Sequence, residues 1–169
     1  MEKEYFFNFD KMKYVQGTRP EGCILCHIRD KNPVSIDLTV YRNDLFIVTV
    51  NLYPYNPGHL MIFPVQHIED VREYSEDEDR GFLQLNRIFL NILDKLYQPS
   101  GYNLGYNMGL TSGASIKHLH YHMIPRYPRE LGVADLIAGK RVLVEDPRRT
   151  RKRLQQAVRK FFNSNRLLG

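Results

Sequence analysis

The segment His118-Leu119-His120-Tyr121-His122-Met123-Ile124 alternates imidazoles with apolar side chains. Successive side chains of a strand fall on opposite faces, so an extended segment here gathers His118, His120 and His122 on one surface and Leu119, Tyr121 and Met123 on the other. By itself such a run fits a plain sheet face or a metal-binding tract as well as a catalytic surface. Its approach narrows the choice. Gly109-Leu110-Thr111-Ser112-Gly113-Ala114-Ser115 leads directly into it, a flexible stretch whose backbone N–H groups and hydroxyls suit phosphate oxygens. Imidazole is largely neutral near physiological pH, attacks phosphorus and leaves again readily, so one histidine can serve as nucleophile while its neighbours donate hydrogen bonds.

Strand character begins at Leu38-Thr39-Val40-Tyr41, breaks at Asn43-Asp44 and resumes through residues 45–50, which predicts a hairpin. Residues 51–58 hold two prolines and a glycine and read as a loop, after which His59-Leu60-Met61-Ile62-Phe63 forms a third strand stopped by Pro64. Beyond Ser75 the period changes. Phe82, Leu85, Phe89, Ile92 and Leu96 recur at helical spacing behind Glu76-Asp77-Glu78-Asp79, predicting one long helix over about residues 76–97 that Pro99-Ser100-Gly101 ends. Residues 102–108 and 117–124 supply two more strands. Gly22-Cys23-Ile24-Leu25-Cys26 reads as a tight turn opening a short helix that ends before Asn32-Pro33. The order of strands, one long helix and strands argues for an α+β fold with a mainly antiparallel, five-stranded sheet.

The 169 residues, 43% of them hydrophobic, suit a single domain over 1–169, with an extended N-terminal arm at 1–20 and a C-terminal helix at 147–169. Acidic residues beside Met1 argue against a secretory leader, and no apolar run approaches a bilayer span, so the cytoplasm is the expected location and no membrane partner is expected. Much of the net charge of +5 sits in Arg148-Arg149-Thr150-Arg151-Lys152-Arg153. Leu154, Val158, Phe161 and Phe162 form an apolar stripe on the same stretch, so the expectation is a docked helix with a solvated basic face rather than a nucleic-acid surface. The two cysteines, Cys23 and Cys26, have a spacing better suited to a metal or a redox pair than to a structural disulfide.

These residues resemble the histidine triad superfamily, whose signature H-φ-H-φ-H-φ-φ is matched from His118 to Ile124 with Tyr121 as one φ. The resemblance covers roughly residues 20 to 130. The Cys-x-x-Cys start, the Gly113-Ala114-Ser115-Ile116 lead-in and the Pro125-Arg126-Tyr127 sequel are similar to the branch of diadenosine polyphosphate hydrolases and phosphorylases. It implies a covalent nucleotidyl intermediate on His120, with His122 on the phosphate oxygens. His59, which alone reads as a strand-end surface residue, becomes a further active-site histidine. Asn51 falls at the ribose hydroxyls, and Asn107, Gly113 and Ser115 at the α-phosphate or leaving group. Cys23 and Cys26 correspond to a zinc site completed by His67 and His118, a saturated and therefore structural set. An unliganded or redox-active thiol pair, or His27 in place of a more distant ligand, are the alternatives. Where the branch continues with Trp and a Gly-Asp pair, this chain has Tyr127-Pro128-Arg129-Glu130, which leaves the leaving group open between a second nucleotide, an amine and a sugar phosphate.

The implied reaction is a double displacement on a dinucleoside polyphosphate, hydrolytic with water as acceptor and phosphorolytic with phosphate. Adenosine phosphoramidate hydrolysis and a non-catalytic AMP-binding adaptor are the rival readings. The family implies a two-fold homodimer. No organic cofactor is expected, and Phe7, Ile28, Phe46 or Leu52 are candidates to line an apolar base pocket.

Overall fold

The computed structural model describes residues 20–128 and 145–166. Helix α1 (Ile24–Arg29) is followed by strands β1 (Thr39–Arg42), β2 (Phe46–Val50) and β3 (Leu60–Pro64), then the long helix α2 (Glu76–Tyr97). Strands β4 (Gly101–Tyr106) and β5 (Tyr121–Arg126) and helix α3 (Pro147–Arg166) complete the chain. The five strands form one sheet in the order β1-β2-β3-β5-β4, and every neighbouring pair is antiparallel. This is the α+β architecture that the sequence predicts.

Strands β2 and β3 are apolar almost throughout because both of their faces are covered. Phe46, Val48, Val50, Leu60, Ile62, Tyr121 and Met123 pack with Leu85, Phe89 and Leu93 of α2 and Leu154 and Val158 of α3. Their alternate neighbours, Ile47, Met61 and Phe63, pack instead with Leu25 and Ile28 of α1. Register carries this second face across the sheet: Thr49 pairs with Met61, Met61 with His122, and His122 with Gly105.

Local chemistry sets the helix ends. Ser75 and Glu78 form a capping box at the start of α2, four acidic residues occupy its first turn, and Gln98 closes it in the left-handed region at φ 46°. Helix α3 begins on Pro147, with the Asp146 carboxylate accepting the Arg148 N–H at 2.7 Å. Arg151 and Gln155 then donate to the Thr39 carbonyl at 3.2 and 2.9 Å, fastening α3 to β1. The basic residues Arg148, Arg149, Lys152, Arg159 and Lys160 lie on its exposed side, as expected for a docked helix.

Two expectations need correction. The histidine strand does not start at residue 117: β5 begins at Tyr121, because the Leu119 N–H leaves the sheet to donate to the Ile68 carbonyl at 2.7 Å and β3 pairs only with residues 121–123. Strand β4 likewise ends at Tyr106 rather than Met108. The arm at 1–20 apart from Pro20, the loop residues Arg129 and Glu130, and residues 167–169 of the C-terminal helix lie outside the described residues. Among the described residues no helix is long and apolar enough to cross a membrane.

Leu154 is fully buried under α3. Leu154→Ala should therefore lower the unfolding free energy in urea by about 2–5 kcal/mol, whereas the exposed Lys152→Ala should stay within about 0.5 kcal/mol of wild type. Equal, small effects would show that α3 is not part of the core.

Candidate active site

His120 is 4% exposed and is held by its own strand entry: its Nδ1 lies 2.8 Å from the His118 carbonyl. A carbonyl only accepts, so Nδ1 carries the proton and Nε2 the lone pair. Burial lowers the His120 pKa, outweighing the hydrogen bond to the His118 carbonyl, which favours the charged form. The ring is thus neutral at physiological pH and nucleophilic at Nε2.

A second chain of contacts fixes the opposite tautomer next door. The Tyr55 backbone N–H donates to His59 Nδ1 at 3.1 Å, which leaves the proton of neutral His59 on Nε2. His59 Nε2 lies 3.0 Å from His122 Nδ1 and donates to it, so His122 carries its proton on Nε2. His122 then offers an N–H beside the lone pair of His120, their ring centroids 4.9 Å apart. Asn51 accepts the Tyr53 N–H at 2.9 Å and brings its amide nitrogen 3.4 Å from His59 Nε2. The loop bearing these residues is pinned by Asn56, which donates to the Pro125 carbonyl, and by Tyr127, whose hydroxyl donates to the Pro57 carbonyl. It closes on Gly58 at φ +80°, where an added Cβ would come within 3.2 to 3.3 Å of Leu93, Pro125 and Tyr97.

A cavity of about 510 Å³ opens on this face of the sheet. His120, His122, Asn51, Asn107, Gly113 and Ser115 all line it, so the structure brings these site residues to one wall or another of the same space. Gly113 turns the approach loop at φ +87°, with nothing among the described residues within 4 Å of the position of its missing side chain. His59 does not line the cavity. It is completely buried rather than a surface histidine, with its Nε2 against His122 Nδ1. Of the base-pocket candidates, Ile28 and Leu52 line the cavity, but Phe46 faces the other side of the sheet, against Tyr74 and Phe82; Phe7 is outside the described residues. Thr49 and Met61 form part of the floor, which sequence reasoning missed. Only strand register, invisible without the pairing, puts them beside His122.

Cys23, Cys26, His67 and His118 form a second cluster whose ligand atoms all lie within 4.8 Å of one another. Cys26 Sγ is 3.2 Å from His67 Nδ1, and both sulfurs are 3.6 Å from His118 Nδ1. Sulfur and nitrogen ligands of one tetrahedral zinc stand roughly 3.5 Å apart, so the spacing fits a single ion. The outer hydrogen bonds also fit. His118 Nε2 donates to the Pro64 carbonyl at 3.0 Å, turning its Nδ1 lone pair toward the sulfurs, and His67 Nε2 has Glu69 at 3.7 Å. Burial, and after it the neighbouring Cys23, push the Cys26 thiol up to about 11, so paired thiolates here call for a cation between them. These residues could hold a metal. His27 is not among them: its Nδ1 lies 3.4 Å from the Ser35 hydroxyl.

Residues 32–129 match the HIT domain model. The chain belongs to the HIT domain family. It is 32% identical over 118 residues to an AP-4-A phosphorylase of Mycobacterium tuberculosis, covering 69% of this chain and 60% of that one. It is 28% identical over 97 residues to an asymmetrical bis(5'-nucleosyl)-tetraphosphatase of Schizosaccharomyces pombe, covering 57% of this chain and 53% of that one. The chain thus spans little more than half the length of either relative. Its fold is shared by a Zn-bound histidine triad family protein from Mycobacterium smegmatis, with a TM-score of 0.66 at 18% identity, covering 85% of this chain and 97% of the other.

Long-range proton–nitrogen NMR correlations at mildly alkaline pH should show His120 as the Nδ1–H tautomer and His59 and His122 as Nε2–H. A His120 proton found on Nε2 would contradict the arrangement described.

Proposed function

We propose that the chain cleaves dinucleoside polyphosphates by transferring a nucleotidyl group through His120. The observation that carries this reading is the oriented His120, its Nδ1 proton tied to the His118 carbonyl at 2.8 Å, on the wall of a cavity that also presents His122, Asn107, Gly113 and Ser115. The names of the mycobacterial and yeast relatives support the substrate class.

In the first step the His120 Nε2 lone pair attacks the α-phosphorus. A P–N bond forms, the P–O bond to the polyphosphate breaks, and its electron pair leaves on the departing oxygen. The Nδ1 proton stays where it is, shared with the His118 carbonyl, which stabilises the imidazolium being made. The Nε2–H of His122 donates to the phosphate oxygens, held in register by His59 and Tyr55. Asn107, Ser115 and the N–H groups around Gly113 supply uncharged donors for the α-phosphate and leaving group, and Asn51 those for the ribose. The apolar wall containing Ile28 and Leu52 receives the base. In the second step water or inorganic phosphate attacks the same phosphorus, the P–N bond breaks, and its electrons return to Nε2; with water, one proton passes to solvent.

The same reading includes one zinc ion on Cys23, Cys26, His67 and His118, where it ties α1 to the segment that enters β5. It also includes a two-fold dimer. Strand β4 is an outer strand, and the exposed Leu104 on it and Leu83 on α2 are the apolar groups a partner would cover.

Incubation with diadenosine tetraphosphate, with and without phosphate, tests the reaction. Wild type should give AMP plus ATP in water, or ADP plus ATP with phosphate, and His120→Ala should lose on the order of 10³-fold or more in rate. Turnover undiminished in His120→Ala would sink the mechanism, and no turnover by wild type would sink the substrate class. Metal analysis should find one zinc per chain, and sedimentation a species of twice the 20.0 kDa chain mass.

A further inference from the structure

His118 takes part in both clusters, through different atoms. Its ring belongs to the metal-binding group through Nδ1, and its backbone carbonyl orients the nucleophile by accepting from His120 Nδ1 at 2.8 Å. Residues 113–120 lie outside any helix or strand, and β5 begins only at Tyr121. The hydrogen bonds of the His118 ring and the Leu119 N–H go to the end of β3 and the segment just after it. The His118 ring donates to the Pro64 carbonyl at 3.0 Å, and the Leu119 N–H donates to the Ile68 carbonyl at 2.7 Å. Ile68 directly follows His67, another ligand of the cluster. A metal joining His67 to His118 therefore clamps the two segments one residue away from the hydrogen bond that already joins them.

We infer that His118 is a positioning residue through which the metal cluster controls the transfer step. Its ligated ring fixes its carbonyl, and the carbonyl fixes the angle at which His120 Nε2 meets phosphorus. The cavity walls formed by Leu52, Thr49 and Met61 lie outside this linkage, whereas Ile24, Leu25 and Ile28 stand on α1, which carries Cys26, so the base wall is only partly independent of the metal. The cluster thus acts on the rate of nucleotidyl transfer, beyond contributing to folding. The kinetic half of this inference rests on the proposed reaction; the structural half does not.

The test compares the zinc-loaded full chain, the same protein stripped with EDTA, His118→Ala, and His118→Cys, which keeps both a metal ligand and the backbone carbonyl. Three quantities are read on each: the single-turnover rate of adenylyl-histidine formation, the Kd for AMP, and the NMR signal of the His120 Nδ1 proton. Stripped protein and His118→Ala should be slower by roughly 10- to 100-fold, a loss larger than any accompanying rise in the Kd for AMP, and lose the Nδ1 proton signal to exchange. His118→Cys reloaded with zinc should recover the signal and most of the rate. Folded, metal-free protein with an unchanged signal and rate would overturn the inference, as would a zinc-bound His118→Cys as slow as His118→Ala. If circular dichroism shows His118→Ala unfolded, the EDTA titration of wild type and the cysteine variant still decide it. If loaded wild type forms no adenylyl-histidine, the proposed reaction fails, while the proton signal still reports whether metal and His120 are coupled.

Discussion

The two-sided burial of strands β2 and β3 governs everything else in this structure. Each strand gives alternate residues to two different layers: Val48, Val50, Leu60 and Ile62 to the core beneath α2 and α3, and Ile47, Thr49, Met61 and Phe63 to the side of α1 and the cavity. Because the side-chain period of a strand is two residues, a slip of one position would exchange core for cavity floor along the whole sheet. The register from Thr49 through Met61 to His122 is therefore what puts an imidazole at the end of an apolar floor.

The histidines show how environment separates chemically identical groups. His118 is completely buried, and burial pushes its pKa down to about 4, against the contrary effect of the Pro64 carbonyl. This keeps the ring neutral and suited to a cation. His120 is kept neutral by the same cause, but its proton is directed to the opposite nitrogen by a different acceptor. His122 takes its tautomer from His59. Three positions of one short motif thus present different nitrogens to their surroundings because three different backbone groups, the Pro64 carbonyl, the His118 carbonyl and the Tyr55 N–H, assign their protons.

Much of this was legible in the sequence. The helix over 76–97, the hairpin around Asn43-Asp44 and the gathering of Cys23, Cys26, His67 and His118 follow from periodicity, turn chemistry and the family resemblance. What stayed hidden depends on long-range geometry. Alternation along residues 118–122 predicts three imidazoles on one surface, whereas the structure puts His120 and His122 on the cavity wall and His118 with Cys23, Cys26 and His67; extended backbone is not a paired strand, and Leu119 finds its partner at Ile68 instead of in the sheet. Phe46 reads as apolar whichever face it takes, so only the packed structure removes it from the base pocket. The tautomer of His59 is set by a backbone N–H four residues away, a group that every residue except proline carries and no sequence pattern marks.

Gly58 sits where the loop before β3 meets the helical layer. A side chain added there, directly before His59, would come within 3.2 to 3.3 Å of Leu93 and Tyr97 of α2 and of Pro125 of β5. Changes in the shape of the helix surface are therefore felt by the loop that orients His59 and Asn51. Substitutions at Leu93 or Tyr97 and substitutions in residues 51–58 should combine non-additively, since they share this contact. In this chain the room for a larger side chain at Leu93 or Tyr97 is then limited through one glycine.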